Sequence, residues 1–496
     1  MPKQTDQSRP SRASRAGARW GHAIELDTSA EALPLYVQIA EVIAADVRRG
    51  VLAPGAALPG SRTLAASLGV HRNTVLAALR ELEKQGFLVT EPARGTRISE
   101  ALPARPLSPA PRPTGSAQFH VPRPPSFLVS PPPRGCFTLL GGVPDLRHVP
   151  TAALARAYRR ALRRPGVLSY GDPGGTLSLR AELAKMLART RGLPLSPDDV
   201  VVTRGSQMAL DLVARALVRP GDVVAVEALG YRPAWEAFTH AGARLVPVPV
   251  DAHGLRVDRL AALTDQTPVR AVYVTPHHQY PSTAVLPAPR RLALLALAQE
   301  RRIAILEDDY DHEFHYEGRP IRPLAARGPT SVVYVGTLSK VLAPGLRLGW
   351  VVAPSPLREA LVAHRGIIDR QGDQVVEEAL AELLADGEVS RHVLRMRTLY
   401  EARRDTMVRL LTDAFGDELR FGVPRGGMAL WARVRGFDVD EWAAAAAQRH
   451  VLIQPARLFT FDRRPRQHVR LGYGAHTEAE LEQAVALLVD ARRALR

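Results

Sequence analysis

The chain has 496 residues, 46% of them hydrophobic, with 66 Lys+Arg against 50 Asp+Glu and a net charge of +16. That length exceeds one ordinary domain, and the apolar content is enough for sizeable cores. A single cysteine, Cys136, and the lack of any apolar run of membrane-spanning length exclude an intrachain disulfide framework, a multi-cysteine metal site and a spanning helix.

The arginine-rich start has no hydrophobic segment behind it, so it does not read as a secretory signal, and the expected compartment is the cytoplasm. Residues 1–30 carry Lys3, Arg9, Arg12, Arg15 and Arg19 near their start, opposed there by Asp6. They read as a disordered basic arm able to touch phosphates. A GC-rich coding bias is the competing explanation for the arginine excess of the whole chain.

Residues 31–100 read as a small compact domain. Leu35, Ile39, Val42, Ile43 and Val47 share one helical face between Pro34 and Gly50. Ser61 is expected to cap a short helix reaching Leu68, which Gly69-Val70 breaks. A second helix spans 72–85 with Val75, Leu79 and Leu82 inward, and Gly86 ends it. Strands at 87–90 and 96–99 flank a turn. Helix, helix-turn-helix and hairpin make a winged helix, whose partner is double-stranded DNA. Arg72, Asn73 and Thr74 open the second helix, where a recognition helix meets base edges. Arg62 starts the preceding helix, where phosphate contact is favoured. Arg94 and Arg97 flank the wing tip.

The pattern Gly50-x4-Gly55-x3-Pro59-x-Ser61-Arg62-x-Leu64-Ala65-x2-Leu68-Gly69-Val70-x-Arg72-x-Thr74-Val75, continued by Gly86 and Gly95-Thr96, resembles the GntR-type winged helix. Two residues depart from it. His71 replaces a capping serine, which predicts a weaker helix start, and Ala78 stands where tyrosine is frequent.

Residues 101–135 hold many prolines, including Pro131-Pro132-Pro133, and read as a semi-rigid linker. From 136 to 496, strand patterns at 200–203, 223–227, 244–250, 269–275, 303–308, 331–336 and 349–352 alternate with helical ones such as 207–218 and 290–301. Several strands are apolar at nearly every position, as strands buried on both faces are. An α/β layer with a mainly parallel sheet is expected. After residue 380, helices with strands at 429–434 and 468–471 predict a small α+β subdomain.

Only Lys3, Lys84, Lys185 and Lys340 are lysines, so 62 of the 66 basic residues are arginine. Arginine forms no Schiff base, so an imine has four possible positions. Lys340 follows an apolar run in Thr337-Leu338-Ser339-Lys340, at the kind of strand end where open α/β sheets bind ligands. Arg347 lies seven residues on. A lysine with hydroxyls and one arginine suits a phosphorylated aldehyde.

Glu307-Asp308-Asp309-Tyr310-Asp311 closes another strand. Acids gathered there need a charged partner. A pyridinium nitrogen is one, with the phenol two residues on placed for the ring oxygen. A divalent metal is the alternative, but no histidine cluster or partner-acid spacing supports it, so no metal is expected. Gly205-Ser206-Gln207 opens a helix whose N–H groups can hold phosphate. Tyr231 follows the strand at 223–227, where it can stack on a planar ring.

With Tyr170-Gly171-Asp172-Pro173-x-Gly175-x3-Leu179-Arg180, Gly221-Asp222 and His468-Val469-Arg470-Leu471-Gly472, these segments resemble fold-type-I aminotransferases. More closely they resemble the MocR group, in which such a domain follows a GntR winged helix. The resemblance implies pyridoxal 5'-phosphate as cofactor, with Lys340 forming its internal aldimine. It further implies Asp308 on the pyridinium nitrogen, Tyr310 on the ring hydroxyl oxygen and Tyr231 stacked on the ring. Ser206, Gln207, Thr337 and Arg347 would take the phosphate, and Arg470 an effector's α-carboxylate. Tyr170 would reach the phosphate of a neighbouring subunit, which implies a homodimer.

Where aminotransferases carry Asn-Pro-Thr/Ser-Gly, this chain reads His278-Gln279-Tyr280-Pro281-Ser282-Thr283, lacking the asparagine and the glycine. That weighs against efficient transamination but not against cofactor binding. Arg204 adds positive charge beside the phosphate segment. The expectation is a DNA-binding transcriptional regulator that senses a carboxylate-bearing amino compound by external aldimine formation at Lys340. An active aminotransferase with an incidental winged helix, and a pocket serving only as a dimerisation scaffold, are the alternatives.

Overall fold

The computed structural model describes residues 24–29, 33–92, 94–102, 133, 135–318 and 320–495. The chain forms two compact units, divided between residues 124 and 125.

In the smaller unit, α1 (Leu35–Arg48), α2 (Ser61–Leu68) and α3 (Arg72–Lys84) precede an antiparallel hairpin of β1 (Leu88–Glu91) and β2 (Gly95–Ile98). Helical spacing lines Ile39, Ile43, Leu64, Val75, Ala78 and Leu82 into one core, each fully buried. Burying side chains of this size contributes roughly 1.5–3 kcal/mol each for the larger ones.

Three expectations are corrected here. Gly60, not Ser61, is the residue before α2. The Ser61 hydroxyl instead accepts from Arg72 Nε at 3.2 Å, tying the start of α2 to that of α3. The start of α3 is not weakened, because His71 Nδ1 accepts from the Asn73 N–H at 3.2 Å and so replaces a serine cap. Residues 24–29 are part of this unit: Ile24 and Leu26 pack on its core, and the Asp27 N–H donates to Gln38 Oε1 at 2.8 Å. Leu102 packs there as well. The rest of the 1–30 arm, and most of the 101–135 linker, lie outside the described residues.

The larger unit is built on seven strands: β3 (Val200–Thr203), β4 (Val223–Glu227), β5 (Arg244–Val248), β6 (Val269–Val274), β7 (Ala304–Asp309), β8 (Val332–Thr337) and β9 (Gly349–Val352). Their order is β3-β9-β8-β7-β6-β4-β5, with β9 alone antiparallel to the rest. Both faces are covered, which is why the strands read as unbroken apolar runs. Val202, Ala225, Val272, Ile305, Tyr334 and Trp350 enter the core on one face. Val224, Val226, Tyr273, Leu306, Val335 and Val351 enter the other, with α4 (Ser206–Leu217) packed on them. The strand expected over 244–250 stops at Val248, and Val250–Asp251 pairs instead with Gly254–Leu255. Pro249 between them has no N–H for the ladder.

The expected subdomain is a four-stranded antiparallel sheet of β10 (Leu419–Arg420), β11 (Ala429–Val434), β12 (Gln454–Pro455) and β13 (His468–Gly472), in the order β10-β11-β13-β12. The long helix α5 (Glu388–Phe415) and α6 (Glu478–Arg493) cover it around Leu430, Trp442, Leu471 and Leu481.

Candidate functional site

The parallel strands β3, β4, β6, β7 and β8 end on the same edge of the large sheet, and their following loops carry the polar residues. That edge is where open α/β sheets bind ligands.

Alternation along β7 sorts its acids. Asp308 shares a face with Leu306 and Tyr273, and its Oδ2 accepts from the Tyr273 hydroxyl at 2.7 Å. Glu307 and Asp309 point to the opposite face. There Glu307 accepts the Leu324 and Ala325 N–H groups at 2.8 and 3.0 Å, and Asp309 the Tyr334 hydroxyl at 2.7 Å. Thus only one carboxylate of the Glu307–Asp309 stretch faces the α4 side. Burial pushes the Asp308 carboxyl up to about 7; the Tyr273 hydrogen bond opposes this and the neighbouring Asp309 charge reinforces it. Its Oδ1 is buried with no hydrogen-bond partner.

Lys340 follows β8 and is half-buried. Burial lowers its ammonium pKa, helped by the Arg470 and Arg347 cations and opposed by Asp311 and Asp308. Lowering an amine's pKa enlarges the neutral, nucleophilic share of it. A Cβ at Gly142 would lie 3.4 Å from its Nζ, so the chain passes close beside the amine.

The residues expected to hold a phosphate gather between β3 and β9. Gly205, at φ +81°, precedes α4, a backbone that favours glycine. A Cβ there would be 3.2 Å from the Arg347 guanidinium, so glycine keeps the gap between that cation and the helix N-terminus open. Arg347 Nη2 donates to the Arg204 carbonyl at 2.8 Å. Ser206 begins α4. Gln207 Nε2 donates to the Pro233 carbonyl at 2.9 Å, leaving its buried Oε1 without a partner. Thr337 contacts the Leu348 carbonyl at 2.8 Å and the Ser339 hydroxyl at 3.0 Å. A hydroxyl has one proton, so Thr337 cannot serve both and a phosphate. The Ser339 hydroxyl, the other one that precedes Lys340 in the sequence, lies beside that of Thr337. Arg204 is answered by Asp369 at 3.2 Å.

On the other side, Arg470 in β13 is buried, donates from Nη1 to the Pro281 carbonyl at 2.5 Å and lies 4.6 Å over the Tyr280 ring. Its Nε has no partner. Tyr231 packs edge-on against Tyr280 at 5.6 Å between ring centres. Tyr310 is half-buried, and its hydroxyl donates to the His278 carbonyl at 3.0 Å. Tyr280 stands in the place of the missing asparagine, and two residues before it His278 bonds Asp311 through Nδ1 at 2.8 Å. The missing glycine is Thr283, whose φ of +60° keeps the left-handed backbone that glycine would adopt. Tyr170 does not join the cluster. It is 75% exposed, with the Arg370 guanidinium 4.0 Å over its ring.

Tyr273 and the His278–Asp311 pair were missed. Tyr273 carried a signal: a phenol inside an otherwise apolar strand needs a buried partner. The expectation of no histidine cluster beside the acids also fails, since the fold sets His277 and His312 beside Asp309.

In the smaller unit Arg62, Arg72 and Asn73 are exposed and Thr74 half-buried. At the wing, Arg94 lies 3.5 Å from Glu91, and Arg97 Nη1 donates to the Gly55 carbonyl at 3.1 Å.

The buried, unpartnered Asp308 oxygen, the depressed lysine and the glycine-backed arginine fit a phosphorylated pyridine aldehyde. When bound, that group supplies an electrophilic carbon and an electron-withdrawing ring. Fold and site together define an aminotransferase-type domain carried behind a helix-turn-helix.

Residues 139–488 match the family model for aminotransferase class I and II, and residues 35–98 that for bacterial regulatory proteins of the gntR family. The chain is 32% identical to the HTH-type pyridoxine biosynthesis transcriptional regulator PdxR of Corynebacterium glutamicum, over 93% of this chain and 96% of that one. It is 31% identical to the probable rhizopine catabolism regulatory protein MocR of Rhizobium meliloti, over 95% and 96%. Among solved structures it resembles the α-aminoadipate aminotransferase LysN of Thermus thermophilus, complexed with N-(5'-phosphopyridoxyl)-L-leucine. That match has a TM-score of 0.68 and 29% identity, over 73% of this chain and 92% of that one. The chain belongs to the MocR-type transcriptional regulators, a GntR winged helix joined to a class I/II aminotransferase domain. Among the described residues, no helix is long and apolar enough to cross a membrane.

Proposed function

We propose that this chain is a cytoplasmic, homodimeric regulator that binds DNA under the control of pyridoxal 5'-phosphate and an amino compound. The observation that carries the reading is the convergence of Lys340, Asp308 and Arg347 at one sheet edge, in a chain whose other unit is a winged helix. Asp308 holds the ring nitrogen with its free oxygen. Ser206, Gln207, Ser339, Arg347 and the first turn of α4 hold the phosphate, while Thr337, engaged with the Leu348 carbonyl, positions the Ser339 hydroxyl. Tyr231 covers the ring and Tyr310 faces its oxygen. Tyr170, exposed on its own chain, serves the neighbouring subunit.

The effector carries an amine and a carboxylate. Its amine exchanges with Lys340 (external aldimine formation), while Arg470 takes its carboxylate through the Nε that has no protein partner. Domains follow as a winged helix up to about residue 100, a proline-rich linker to 135, and the cofactor domain from 136. Arg62, Arg94 and Arg97 meet DNA phosphates, while Arg72, Asn73 and Thr74 meet base edges.

The test is DNA affinity and footprint of the full chain with and without cofactor, then across a panel of amino compounds. The expected result is a cofactor absorbance band lost in Lys340→Ala, and a footprint that changes with one class of amino compound. An unchanged footprint and affinity in every case refutes the sensing model. A working aminotransferase is the second reading, favoured by the completeness of the Lys340, Asp308 and Arg470 set. Multiple turnovers with an amino acid and a keto acid, at rates of dedicated enzymes, would establish it.

A further inference from the structure

On the sheet face opposite Asp308, we propose a buried site for a divalent transition ion of the Zn2+ class, formed by His277, Asp309 and His312. The strand period creates it. Asp309 points away from the α4 face because Asp308 points toward it. His312 lies three residues further along the same turn, and His277 comes from the loop after β6, the neighbouring strand.

The three side chains are 7%, 3% and 2% exposed. One ligating atom from each lies within 4.8 Å of the other two. The two imidazoles stack at 4.6 Å and 23°. Each residue also keeps a buried ligating atom with no hydrogen-bond partner: His277 Nε2, His312 Nε2 and Asp309 Oδ1. An unsatisfied buried polar atom costs roughly 1–3 kcal/mol, so three in one cluster demand a partner that accepts lone pairs. A cation does so.

Two imidazoles and one carboxylate are borderline donors of the set that holds Zn2+ with a fourth position left for water. Tetrahedral ligands about 2.0–2.1 Å from zinc stand roughly 3.4 Å apart, so atoms within 4.8 Å of one another have to draw in by up to about 1.4 Å. Supporting bonds orient it. Asp309 Oδ2 accepts from the Tyr334 hydroxyl and from His312 Nδ1, both at 2.7 Å, and Arg191 Nε donates to the Tyr334 oxygen at 3.1 Å. The nearby cations are already answered. Arg191 pairs with Glu313, and Arg291 donates to the Leu286, Pro276 and Arg322 carbonyls. A bound ion would staple the loop bearing His278 and Tyr280 to the turn bearing Tyr310 and Asp311. It would thus stiffen two walls of the ligand site without entering it.

The experiment loads the full-length chain with Zn2+ or Co2+, removes excess by gel filtration, and measures metal content and the visible d–d bands of Co2+. We expect about one equivalent per chain with four-coordinate Co2+ bands. His277→Ser and His312→Ser should each bind at least tenfold more weakly, whereas His253→Ser, at an exposed turn, should bind as the parent does. Retention of under about a tenth of an equivalent by the parent, or undiminished binding by both site variants, overturns the proposal. Should the variants fail to fold, X-ray absorption on the zinc-loaded parent decides. Two imidazoles in an N/O shell at about 2.0–2.1 Å support the site, and a shell without imidazole scattering overturns it.

Discussion

Replacing Asp308 by asparagine preserves size and the Tyr273 hydrogen bond but removes the charge. In the parent, Oδ2 is held at 2.7 Å by Tyr273 while Oδ1 is buried and unpartnered. A ring nitrogen placed against Oδ1 gains a charge-assisted bond of about 1.5–3 kcal/mol. Its loss weakens cofactor affinity roughly 10- to 150-fold. The cofactor-free chain should respond in the opposite sense. Burial raises the Asp308 carboxyl to about 7, so the folded parent holds a proton there that the unfolded chain releases near 4. Its ionisation therefore destabilises the fold progressively as pH rises from about 4 to 7, by about 1.4 kcal/mol per unit. Asp308→Asn lacks that cost. Its melting temperature without cofactor should exceed the parent's at pH 8 and approach it at pH 4.5. Cofactor titration followed by absorbance, with thermal melts at both pH values, reads the two effects. Affinity within threefold of the parent, together with an unchanged pH 8 melt, would refute the assignment of Asp308 as the buried partner of the ring.

Glu227 gives a parallel case away from the ring. Burial raises it to about 7 against hydrogen bonds from Thr275, so Glu227→Gln should gain stability over the parent between about pH 4.5 and 7, and a flat difference in denaturant melts contradicts this. Gly349→Ala places a Cβ 2.7 Å from the Gly205 carbonyl carbon and 2.9 Å from the Gly336 oxygen. It should cost about 1–3 kcal/mol and weaken phosphate-dependent cofactor binding, which comparison of phosphorylated with dephosphorylated cofactor checks. At the DNA face, Arg94→Ala should weaken binding evenly across sequences and reduce the salt slope by about 1, measured by anisotropy at several salt concentrations. Asn73→Ala should instead relax preference at one base pair, at a cost of about 1–3 kcal/mol, and an even loss across operator variants would remove Asn73 from the base-reading set.

The winged helix and the α/β layer were legible because local signals carry them. The heptad-like spacing of Leu35 to Val47, the αL Gly69 and the valine-rich apolar runs of β3 and β4 each name their element without help from distant residues. Lys340 was legible through scarcity: a chain that otherwise writes its cations as arginine places a lysine at a strand end. Ser61 was misread as a cap because an N-cap is defined by one residue's backbone angles, which a shift of a single position reverses, and His71 was read as a poor cap although its ring nitrogen fills that role.

What the sequence determined alone was therefore the menu: two units, their element order, one lysine able to form an imine, and an acidic run beside it. The folded chain decided the assignments. It sent Asp308 toward Tyr273 and Asp309 toward Tyr334, and engaged the Thr337 hydroxyl with the Leu348 carbonyl and Ser339. It also drew His277, from another strand's loop, to within reach of Asp309 and His312. The physical reason is that a strand's register fixes which face each side chain takes only once its neighbours are in place. A polar group's partner is likewise chosen by burial, which brings together residues that no local spacing connects.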